Sequence, residues 1–323
     1  MLTPNTRDLL AERFALVEDE FSSAVLHGLS RPQKTLPCRF FYDSRGSELF
    51  EEITRLPEYY PTRTEAAILA AHAAEMASYV PNGGVLVEFG SGSSRKTETL
   101  LQHLTQLRAY VMIDVSASAL EDARARLATR FPTLDVRPIV ADFSYPLALP
   151  ADLADSHRTG FFPGSTIGNL NPVEAQRLLR VFRGVLSPSS RLIVGVDLKK
   201  DLSILLPAYN DAAGVTAAFN LNLLARINRE IAPAFDLNSF RHEAIYNARD
   251  GRIEMHLVSM KNQDIAIANH RFHFRQGETI HTENSYKYTV RQFQDLARAA
   301  DWLPSRVWTD SNEFFSVHEL VCA

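Results

Sequence analysis

The sequence predicts an α/β protein in which a parallel sheet, covered by helices on both faces, is interrupted by an inserted α+β segment. Three observations predict this fold class. From residue 85 onward, short apolar runs such as VLVEFG, AYVMID and RLIVGVDL alternate with helical patterns, as in a parallel sheet. Beyond Asp197 the alternation stops, and a long helical pattern leads into several strand-like segments. The chain then returns to a helical pattern and two strand-like segments, as expected for a hairpin that closes the first sheet.

Length, composition and charge narrow the range of functions. The chain has 323 residues, of which 46% are hydrophobic and 22% charged, which is typical of a folded protein of about two domains. Its net charge of -4 and the lack of a Lys/Arg-rich run argue against a nucleic-acid partner. The two cysteines, Cys38 and Cys322, cannot build a disulfide framework or a tetrahedral zinc site, so we expect a cytoplasmic protein. Because no apolar run approaches the roughly 18 residues needed to span a bilayer, we expect no membrane partner.

The individual elements follow from apolar spacing and from start and stop signals. Apolar residues at helical spacing predict a helix over 6–28, which Gly28 would end. Asn171, Pro172 and Glu174 supply an N-cap, a first-turn proline and a capping box, which together predict a helix start. Further helices are predicted over 47–56, 64–80, 96–107, 117–131, 173–186, 208–231 and 290–300, and strands of the last third over 243–246, 252–260, 265–274, 279–288, 306–309 and 314–321.

A glycine loop and an acidic strand end indicate a nucleoside-binding site. Gly90 and Gly92 lie between a strand and a helix, where a side chain would keep the backbone away from a ligand. Asp114 ends the next strand, where a carboxylate can accept hydrogen bonds from ribose hydroxyls. The alternatives are a tight turn without a ligand and, for Asp114, a helix cap ahead of Ser116.

The same region distinguishes between cofactors. Arg95 stands where a dinucleotide fingerprint has a third small residue, and its bulk opposes close packing of a helix against a pyrophosphate, which argues against NAD. Asp142 and Phe143, at the end of the third strand, offer a carboxylate and an aromatic face to an adenine. A ligand with a ribose and an adenine but without phosphates fits these residues, and S-adenosylmethionine (SAM) is such a ligand.

Longer motifs carry a resemblance to a known family. VEFGSGSSRKT, GSTIGNLNP, AYNDAAGVTAAFN, RIEMHL and TENSYKY, with FFYDSRGSELFEEITRLPEYYPTRTEA nearer the N-terminus, resemble the histidine Nα-methyltransferases of ergothioneine biosynthesis over nearly the whole chain after about Leu36. The resemblance implies a class I (Rossmann-like) SAM-dependent methyltransferase domain, residues 62–199 and 288–323, and a substrate-binding domain, residues 1–61 and 200–287. It implies trimethylation of L-histidine to hercynine, and we expect the enzyme to be a monomer. Ser93 departs from the commoner class I glycine loop, but the family tolerates a hydroxyl residue there.

The resemblance also assigns roles to individual residues. It implies that SAM is contacted by Gly90, Lys96, Asp114, Asp142 and Phe143. It implies that the histidine carboxylate is held by Tyr59, Asn169 and Tyr209, that the imidazole meets Glu283 and Ser285, and that Tyr42 and the backbone of Gly164 lie beside the α-amine. Met255 would form part of the pocket wall, with plain core packing as the alternative.

The residue types suit these roles on physical grounds. Glu283 and Ser285 are two residues apart in a predicted strand, so their side chains project from one face and together can address both nitrogens of an imidazole. Phenols such as Tyr59, Tyr60 and Tyr209 can donate hydrogen bonds to a carboxylate without adding a full charge. For Tyr60, core packing is the alternative.

A metal site is not expected from the sequence. His270 and His273 are three residues apart in a predicted strand and point to opposite faces, and no set of His, Cys and carboxylate residues shows a recognised ligand spacing. The sulfonium of SAM is itself electrophilic, so the protein need only hold a neutral amine in line with the methyl–sulfur bond.

Three alternatives remain at this point. A different amino acid such as tryptophan is disfavoured because a carboxylate such as Glu283, with Met255 beside it, would lack its matched donors against an indole. A nucleic-acid or protein methyltransferase predicts a basic face or an Asp/Asn-Pro-Pro-aromatic motif, and GFFPGSTIGN provides neither. A non-catalytic SAM-binding protein is the third alternative, against which the retained cofactor and amino-acid contacts argue.

Overall fold

The structure is a computed structural model that describes residues 20–92, 94–186 and 188–322. The chain divides into two compact units. The described residues of Tyr60–Lys200 and Ser285–Ala323 form the first, here called the sheet unit, and those of Met1–Tyr59 and Asp201–Asn284 form the second, the inserted unit. The helices are α1 (Ser44–Ile53), α2 (Tyr60–Ser78), α3 (Arg95–Leu101), α4 (Ala117–Arg130), α5 (Pro172–Leu186), α6 (Leu202–Leu205), α7 (Val215–Glu230) and α8 (Val290–Arg298). The strands are β1 (Lys34–Thr35), β2 (Val85–Phe89), β3 (Ala109–Asp114), β4 (Val136–Val140), β5 (Arg158–Phe162), β6 (Arg191–Asp197), β7 (Phe240–Asn247), β8 (Arg252–Ser259), β9 (Gln263–Ile267), β10 (His270–Phe274), β11 (Thr279–Tyr286), β12 (Trp302–Thr309) and β13 (Phe315–Cys322).

The sheet unit contains a seven-stranded sheet in the order β12-β13-β6-β5-β2-β3-β4. Strands β2 to β6 are parallel, and β13 runs antiparallel to both β6 and β12. All five residues of β2 are buried, as expected for a strand of a parallel sheet that is covered on both faces, and four of the five are apolar. The strand order reverses between β5 and β2, and open sheets bind ligands at the carboxyl ends beside such a point. The predicted α/β fold class is therefore confirmed.

Alternate residues of β2 enter two apolar cores on opposite faces of this sheet. Val87 and Phe89 belong to one core, and Leu86 belongs to the other. On the first face the ring of Phe89 stacks on that of Phe182 from α5, with ring centroids 3.8 Å apart. Burying one such ring contributes about 2–3 kcal/mol. These cores hold β2 and α5 in place and so fix the loops at the strand ends.

The start of α5 is capped as the sequence predicts. The side-chain oxygen of Asn171 accepts hydrogen bonds from the backbone N–H groups of Val173 and Glu174, both at 3.0 Å. The carboxylate of Glu174 in turn accepts from the Asn171 N–H at 2.9 Å. Asn171, Pro172 and Glu174 are therefore confirmed as the cap, first residue and capping-box partner of this helix.

The inserted unit is built on a four-stranded sheet in the order β1-β11-β8-β7. Strands β7 and β8 are antiparallel, with Ala244 opposite Met255, and β1 pairs in parallel with β11. The prediction of one strand over 265–274 is wrong, because β9 and β10 form an antiparallel hairpin. The chain turns at Ala268, a non-glycine residue at φ +50°, so no Gly or Pro marks the turn.

Two predicted helix boundaries also differ from the structure. The pattern over 208–231 includes a separate 3-10 turn, Pro207–Tyr209, and α7 begins only after Gly214, at φ +74°. The Asp211 carboxylate accepts from the N–H groups of Val215 and Thr216 and so caps α7 from outside. The helix predicted over 96–107 ends at Leu101 and is followed by turns.

The helix predicted over 6–28 falls partly outside the described residues. Residues 20–29 are helical, and 6–19 lie outside the described part. Gly28 stands inside the last turn and does not end the helix. A Cβ at Gly28 would lie 2.1 Å from the carbonyl oxygen of Thr35, so close packing explains this glycine. Among the helices of the described residues, none combines the length and apolar character needed to cross a membrane.

Candidate active site

The glycine loop after β2 is tied to the end of β3 by backbone and side-chain hydrogen bonds. Gly90 and Gly92 have φ values of +70° and +47°, which favour glycine. The Gly90 N–H donates to the Ile113 carbonyl at 2.8 Å. The Asp114 carboxylate accepts from the N–H groups of Gly92 and Ser116, both at 2.9 Å. A carboxylate offers about four acceptor positions, so Asp114 retains capacity to accept from ribose hydroxyls while it holds this loop.

Gly90 and Phe143 lie against each other. A Cβ on Gly90 would stand 3.1 Å from the Phe143 ring, so the glycine lets the ring approach the loop. Asp142, the preceding residue, accepts a hydrogen bond from the Ser144 N–H at 2.8 Å. The carboxyl ends of β2, β3 and β4 thus bring Gly90, Asp114 and Phe143 together, as the sequence predicts for a nucleoside site. Ser93 lies outside the described residues.

Lys96 and Gly164 share one buried partner, Glu65, which sequence reasoning missed. The Glu65 side chain of α2 is 1% exposed and forms a salt bridge with Lys96. It also accepts from the Gly164 N–H, with its two oxygens at 2.8 and 3.0 Å. A Cβ on Gly195 would lie 2.0 Å from this carboxylate, so the glycine makes room for it. The Gly164 N–H is thereby engaged. Of the two backbone groups of Gly164, the carbonyl oxygen is the one that can accept a hydrogen bond from an amine.

A weak sequence signal for Glu65 exists. It precedes Ile68 and Leu69, buried residues of the same helix, by three and four positions, so it lies on the apolar face of α2. A carboxylate on such a face needs a hydrogen-bonded partner. The signal indicates burial, but the sequence does not indicate that Lys96 is the partner.

Asn169 lies in a loop that is held by two contacts. The Ser165 hydroxyl accepts from the Asp197 N–H at 2.9 Å, and Ser165 itself has φ +57°. A Cβ on Gly168 would lie 2.9 Å from the Tyr286 carbonyl oxygen. The loop that carries Asn169 is therefore packed against the backbone next to Ser285.

Asp197 binds two lysines in the sheet unit. Its oxygens lie 2.6 Å from the Nζ atoms of Lys200 and Lys287, and the Tyr60 hydroxyl donates to it at 2.8 Å. Burial would raise the pKa of Asp197, but the two ammonium groups outweigh it and hold the pKa below its usual value. Burial lowers the pKa of Lys200 to about 8. Tyr60 therefore bonds to a carboxylate of the protein itself.

Glu88 is a further buried acid that sequence reasoning missed. It precedes the glycine loop in β2 and accepts hydrogen bonds from the Thr97 hydroxyl, at 2.7 Å, and from the Tyr110 hydroxyl. Burial raises the pKa of Glu88 to about 7, although both hydrogen bonds act to lower it. Burial and the nearby Glu88 also raise the pKa of Tyr110, so Tyr110 remains a phenol.

Aromatic contacts bring the three predicted tyrosines of the inserted unit into one cluster. Tyr42 meets Phe50 edge-on, with ring centroids 5.6 Å apart, and Phe50 meets Tyr59 at 6.3 Å. Tyr59 in turn meets Tyr209 at 6.3 Å and an interplanar angle of 69°. Tyr42 is 38% exposed, whereas Tyr209 is buried. The three tyrosine rings and Phe50 thus form one series of edge-to-face contacts.

Met255 and Glu283 lie on the neighbouring strands β8 and β11. The Thr282 hydroxyl donates to the Met255 carbonyl at 3.0 Å. Met255 is 2% exposed, like its buried neighbours Ile253 and Leu257, and strand alternation places these three side chains on one face. The burial of Met255 fits core packing as well as a pocket wall. The side chain of Glu283 is in an intermediate position between buried and exposed.

Glu254, His256 and His281 form a cluster that the sequence did not indicate, with possible ligand atoms within 4.8 Å of one another. Glu254 accepts from His256 at 3.0 Å and from Arg252 at 2.8 Å. Burial would raise the pKa of Glu254, but hydrogen bonds from Asn247, Arg252 and His256 lower it to about 2. The two histidine rings stack at 4.8 Å and 22°, so their ring nitrogens lie in nearly parallel planes, one ring above the other. This geometry favours a hydrogen-bonded cluster.

The predicted site residues are distributed over both units. The inserted unit carries Tyr42, Tyr59, Tyr209, Met255 and Glu283, and the sheet unit carries Gly90, Lys96, Asp114, Asp142, Phe143, Gly164, Asn169 and Ser285. Within each unit the contacts above connect most of these residues.

Comparison with known proteins gives a consistent result. Residues 21–322 match the family described as "Histidine-specific methyltransferase, SAM-dependent". The chain is 40% identical over 291 residues to the histidine N-alpha-methyltransferase of Mycolicibacterium smegmatis and 41% identical over 292 residues to that of Mycobacterium tuberculosis; each match covers 88% of this chain and 90% of the relative. Ergothioneine biosynthesis protein 1 of Neurospora crassa is 31% identical over 319 residues, which are 95% of this chain and 36% of that protein. With a family match over nearly its whole length, the chain belongs to the histidine-specific, SAM-dependent methyltransferases.

Proposed function

We propose that the chain methylates the α-amine of L-histidine three times, with SAM as the methyl donor, to give hercynine in the first step of ergothioneine biosynthesis. The observation that carries the proposal is the 40–41% identity, over 88% of this chain, to two relatives named as histidine N-alpha-methyltransferases. The mono- and dimethylated histidines would be intermediates of the same site.

The residues of the glycine loop fit SAM. Gly90 and Gly92 leave the backbone accessible, and the Asp114 carboxylate stands at the end of β3 with acceptor capacity for a ribose. Phe143 presents an aromatic face next to Gly90, and Asp142 precedes it. We propose that these residues and Lys96 bind the cofactor.

The amino acid would be held at both of its ends. Tyr59, Tyr209 and Asn169 are proposed to donate hydrogen bonds to its carboxylate, and Glu283 and Ser285 to bind its imidazole. The Tyr59–Tyr209 ring contact supports a joint role for these two phenols. Met255 is proposed as an apolar wall of the pocket.

Catalysis in this proposal is positioning. Bound SAM supplies a methyl group that is already activated by a sulfonium. The protein then needs to hold a neutral amine in line with the methyl–sulfur bond. The Gly164 carbonyl can accept an amine N–H and so orient the nitrogen lone pair, and the Tyr42 hydroxyl can also accept an amine N–H or pass the released proton to water.

One experiment tests the proposal directly. Purified protein is incubated with SAM and a mixture of the twenty amino acids, and the methylated products are identified by mass spectrometry. Histidine carrying one, two and then three methyl groups on its α-nitrogen is the expected result. Methylation of tryptophan at a comparable rate would assign the other amino acid, and the absence of any methylated amino acid would leave a SAM-binding protein without this activity.

We further infer that the enzyme acts as a monomer in the cytoplasm. A cysteine count of two in 323 residues supports a reducing compartment. Light scattering of the purified protein after size exclusion should give the mass of one chain, 36.2 kDa. A mass of twice that value would contradict the monomer.

A further inference from the structure

Ser285 accepts a hydrogen bond from a lysine that is fully buried. The Nζ atom of Lys287 lies 2.7 Å from the Ser285 hydroxyl oxygen and 2.6 Å from an oxygen of Asp197. The side chains of Lys287 and Asp197 are 0% and 1% exposed. An ammonium group has three N–H donors and no acceptor, whereas a hydroxyl has one O–H and two lone pairs. Towards Lys287, therefore, Ser285 can only accept, and its single O–H must point to another partner.

The surroundings of Lys287 keep this arrangement in place. Asp197 also binds Lys200, at 2.6 Å, and Tyr60, at 2.8 Å. The carboxylate is thus anchored from several directions and fixes the Lys287 ammonium beside Ser285. The Ser165 hydroxyl accepts from the Asp197 N–H, which connects the same anchor to the loop that carries Asn169.

We propose that Lys287 is a positioning residue for substrate recognition. It fixes Ser285 as a hydrogen-bond donor, so that the site selects a ring that carries one lone pair as well as one N–H. The inference rests on the proposed function, in which Ser285 and Glu283 bind the ring of histidine. Glu283 is an acceptor and matches the ring N–H, and Ser285 is the donor that matches the lone pair. A neutral imidazole has both groups. An imidazolium has two N–H groups and no lone pair, and an indole or a pyrrole has an N–H and no in-plane lone pair.

Substrate analogues separate this role from a purely structural one. In β-(pyrrol-2-yl)alanine and β-(pyrrol-3-yl)alanine, one ring nitrogen of histidine is replaced by C–H while the other keeps its proton. The readout is the ratio of kcat/KM for histidine to that for the better of the two analogues. For the wild type we expect a ratio of about 100 or more, because a buried donor left facing C–H loses its partner.

Lys287→Met should lower that ratio by about tenfold or more, because the Ser285 hydroxyl can then turn its O–H away from the ring. Most of the change should appear in KM for histidine, with the Kd for SAM within about twofold of the wild type. Ser285→Ala should lower the ratio by a similar factor, and the double variant should lower it no further. Lys199→Met removes an exposed lysine of the same unit and should leave the ratio unchanged. If Lys287→Met lowers kcat/KM equally for histidine and for the analogue, so that their ratio is unchanged, the inference is overturned.

A measurement on the wild type does not depend on how the variants fold. Nitrogen NMR of ¹⁵N-labelled histidine, bound together with S-adenosylhomocysteine, should show one protonated ring nitrogen and one that bears a lone pair. Two protonated ring nitrogens would overturn the inference even where histidine is a good substrate. If the wild type does not methylate histidine at all, the proposed function fails instead, so the two failures are distinguishable.

Discussion

Gly168 and Tyr286 approach so closely that a Cβ on Gly168 would lie 2.9 Å from the Tyr286 carbonyl oxygen and 3.4 Å from its nitrogen. Gly168 directly precedes Asn169, and Tyr286 directly follows Ser285. The two residues proposed to hold opposite ends of the amino acid are therefore attached to backbones in contact with each other. The lack of space for a side chain requires a glycine at position 168. A left-handed backbone conformation is not the reason, since the φ of Gly168 is not positive.

Gly168→Ala should disturb this contact. Forcing a methyl group against a main-chain oxygen typically costs about 1–3 kcal/mol, so the free energy of unfolding in urea should fall by that amount. The KM for histidine should rise because Asn169 and Ser285 move apart, while the Kd for SAM stays near that of the wild type. Gly184→Ala is the matched control: nothing lies within 4 Å of the added Cβ on α5, and the change should stabilise the helix by about 0.5–1 kcal/mol. Equal stability of the two variants would contradict the argument.

Asp114→Ala should weaken SAM binding. The carboxylate holds the Gly92 N–H and is proposed to accept from the ribose, and losing hydrogen bonds to a charged group costs about 2–3 kcal/mol, or roughly 30- to 150-fold in Kd. Calorimetric titration with SAM measures this. Asp122→Ala, at an exposed position of α4, is the control. Unchanged affinity in Asp114→Ala would place the ribose elsewhere.

Glu283→Ala should weaken histidine binding by roughly 2–4 kcal/mol through loss of a carboxylate–imidazole contact. The Kd for SAM should stay within about twofold, since the residues proposed to bind the cofactor lie in another part of the chain. Glu243→Ala removes a partly exposed carboxylate of the same unit and should change neither value. Parallel losses of histidine and SAM affinity would indicate instead that Glu283 supports the fold.

Glu88→Gln should stabilise the protein at alkaline pH. The pKa of Glu88 is about 7 in the folded state against 4.5 in an ordinary environment, so the folded state retains this proton longer. Its contribution to stability is full below pH 4.5 and is lost as the pH rises through 7. Glutamine cannot ionise, so the variant should exceed the wild type by up to about 3 kcal/mol at pH 8 and by much less at pH 4.5. Urea titrations at both pH values decide this, and a constant difference between the two would refute it.

Turnover on histidine should rise from neutral towards alkaline pH. Only a deprotonated amine has the lone pair that attacks the methyl group, and α-amines titrate near about 8 or above. The rise should also appear with mono- and dimethylhistidine, displaced according to the pKa of each amine, whereas the Kd for SAM should not follow it. A flat profile between about pH 7 and 9, with the chemical step rate-limiting, would show that the protein removes the proton within the complex, with Tyr42 as the first candidate.

Elements with a local signal could be predicted from the sequence. The parallel sheet followed from the alternation of buried runs and helical patterns, and the start of α5 followed from Asn171, Pro172 and Glu174 within four positions. The hairpin at Ala268 could not be predicted, because a positive φ at an alanine leaves no compositional mark. The start of α7 was placed too early for a similar reason, since its cap, Asp211, lies four residues before the first helical residue.

The site residues also differ in whether a local sequence signal predicts them. Gly90, Gly92 and Asp114 stand at strand ends that an alternating pattern reveals, and the structure brings the loop and the carboxylate into contact. The pairing of Asp197 with Lys287 joins residues 90 positions apart, and only the completed sheet brings them together. Such partnerships depend on tertiary structure, so they leave no periodicity or motif in the sequence.

The contacts of the Glu65 carboxylate bear on the order in which parts of the fold can form during synthesis of the chain. Its partners Lys96 and Gly164 are 31 and 99 residues further along the chain, and contacts across such spans must overcome a loop-closure entropy before they stabilise the fold. A nascent chain that has formed α2 and β2 has the acid but neither partner, and one that has reached α3 still lacks the loop after β5. The Glu65 carboxylate therefore gains both of its partners only after the loop that follows β5 has been made, so a fragment that ends before this loop leaves a buried acid without one of its donors.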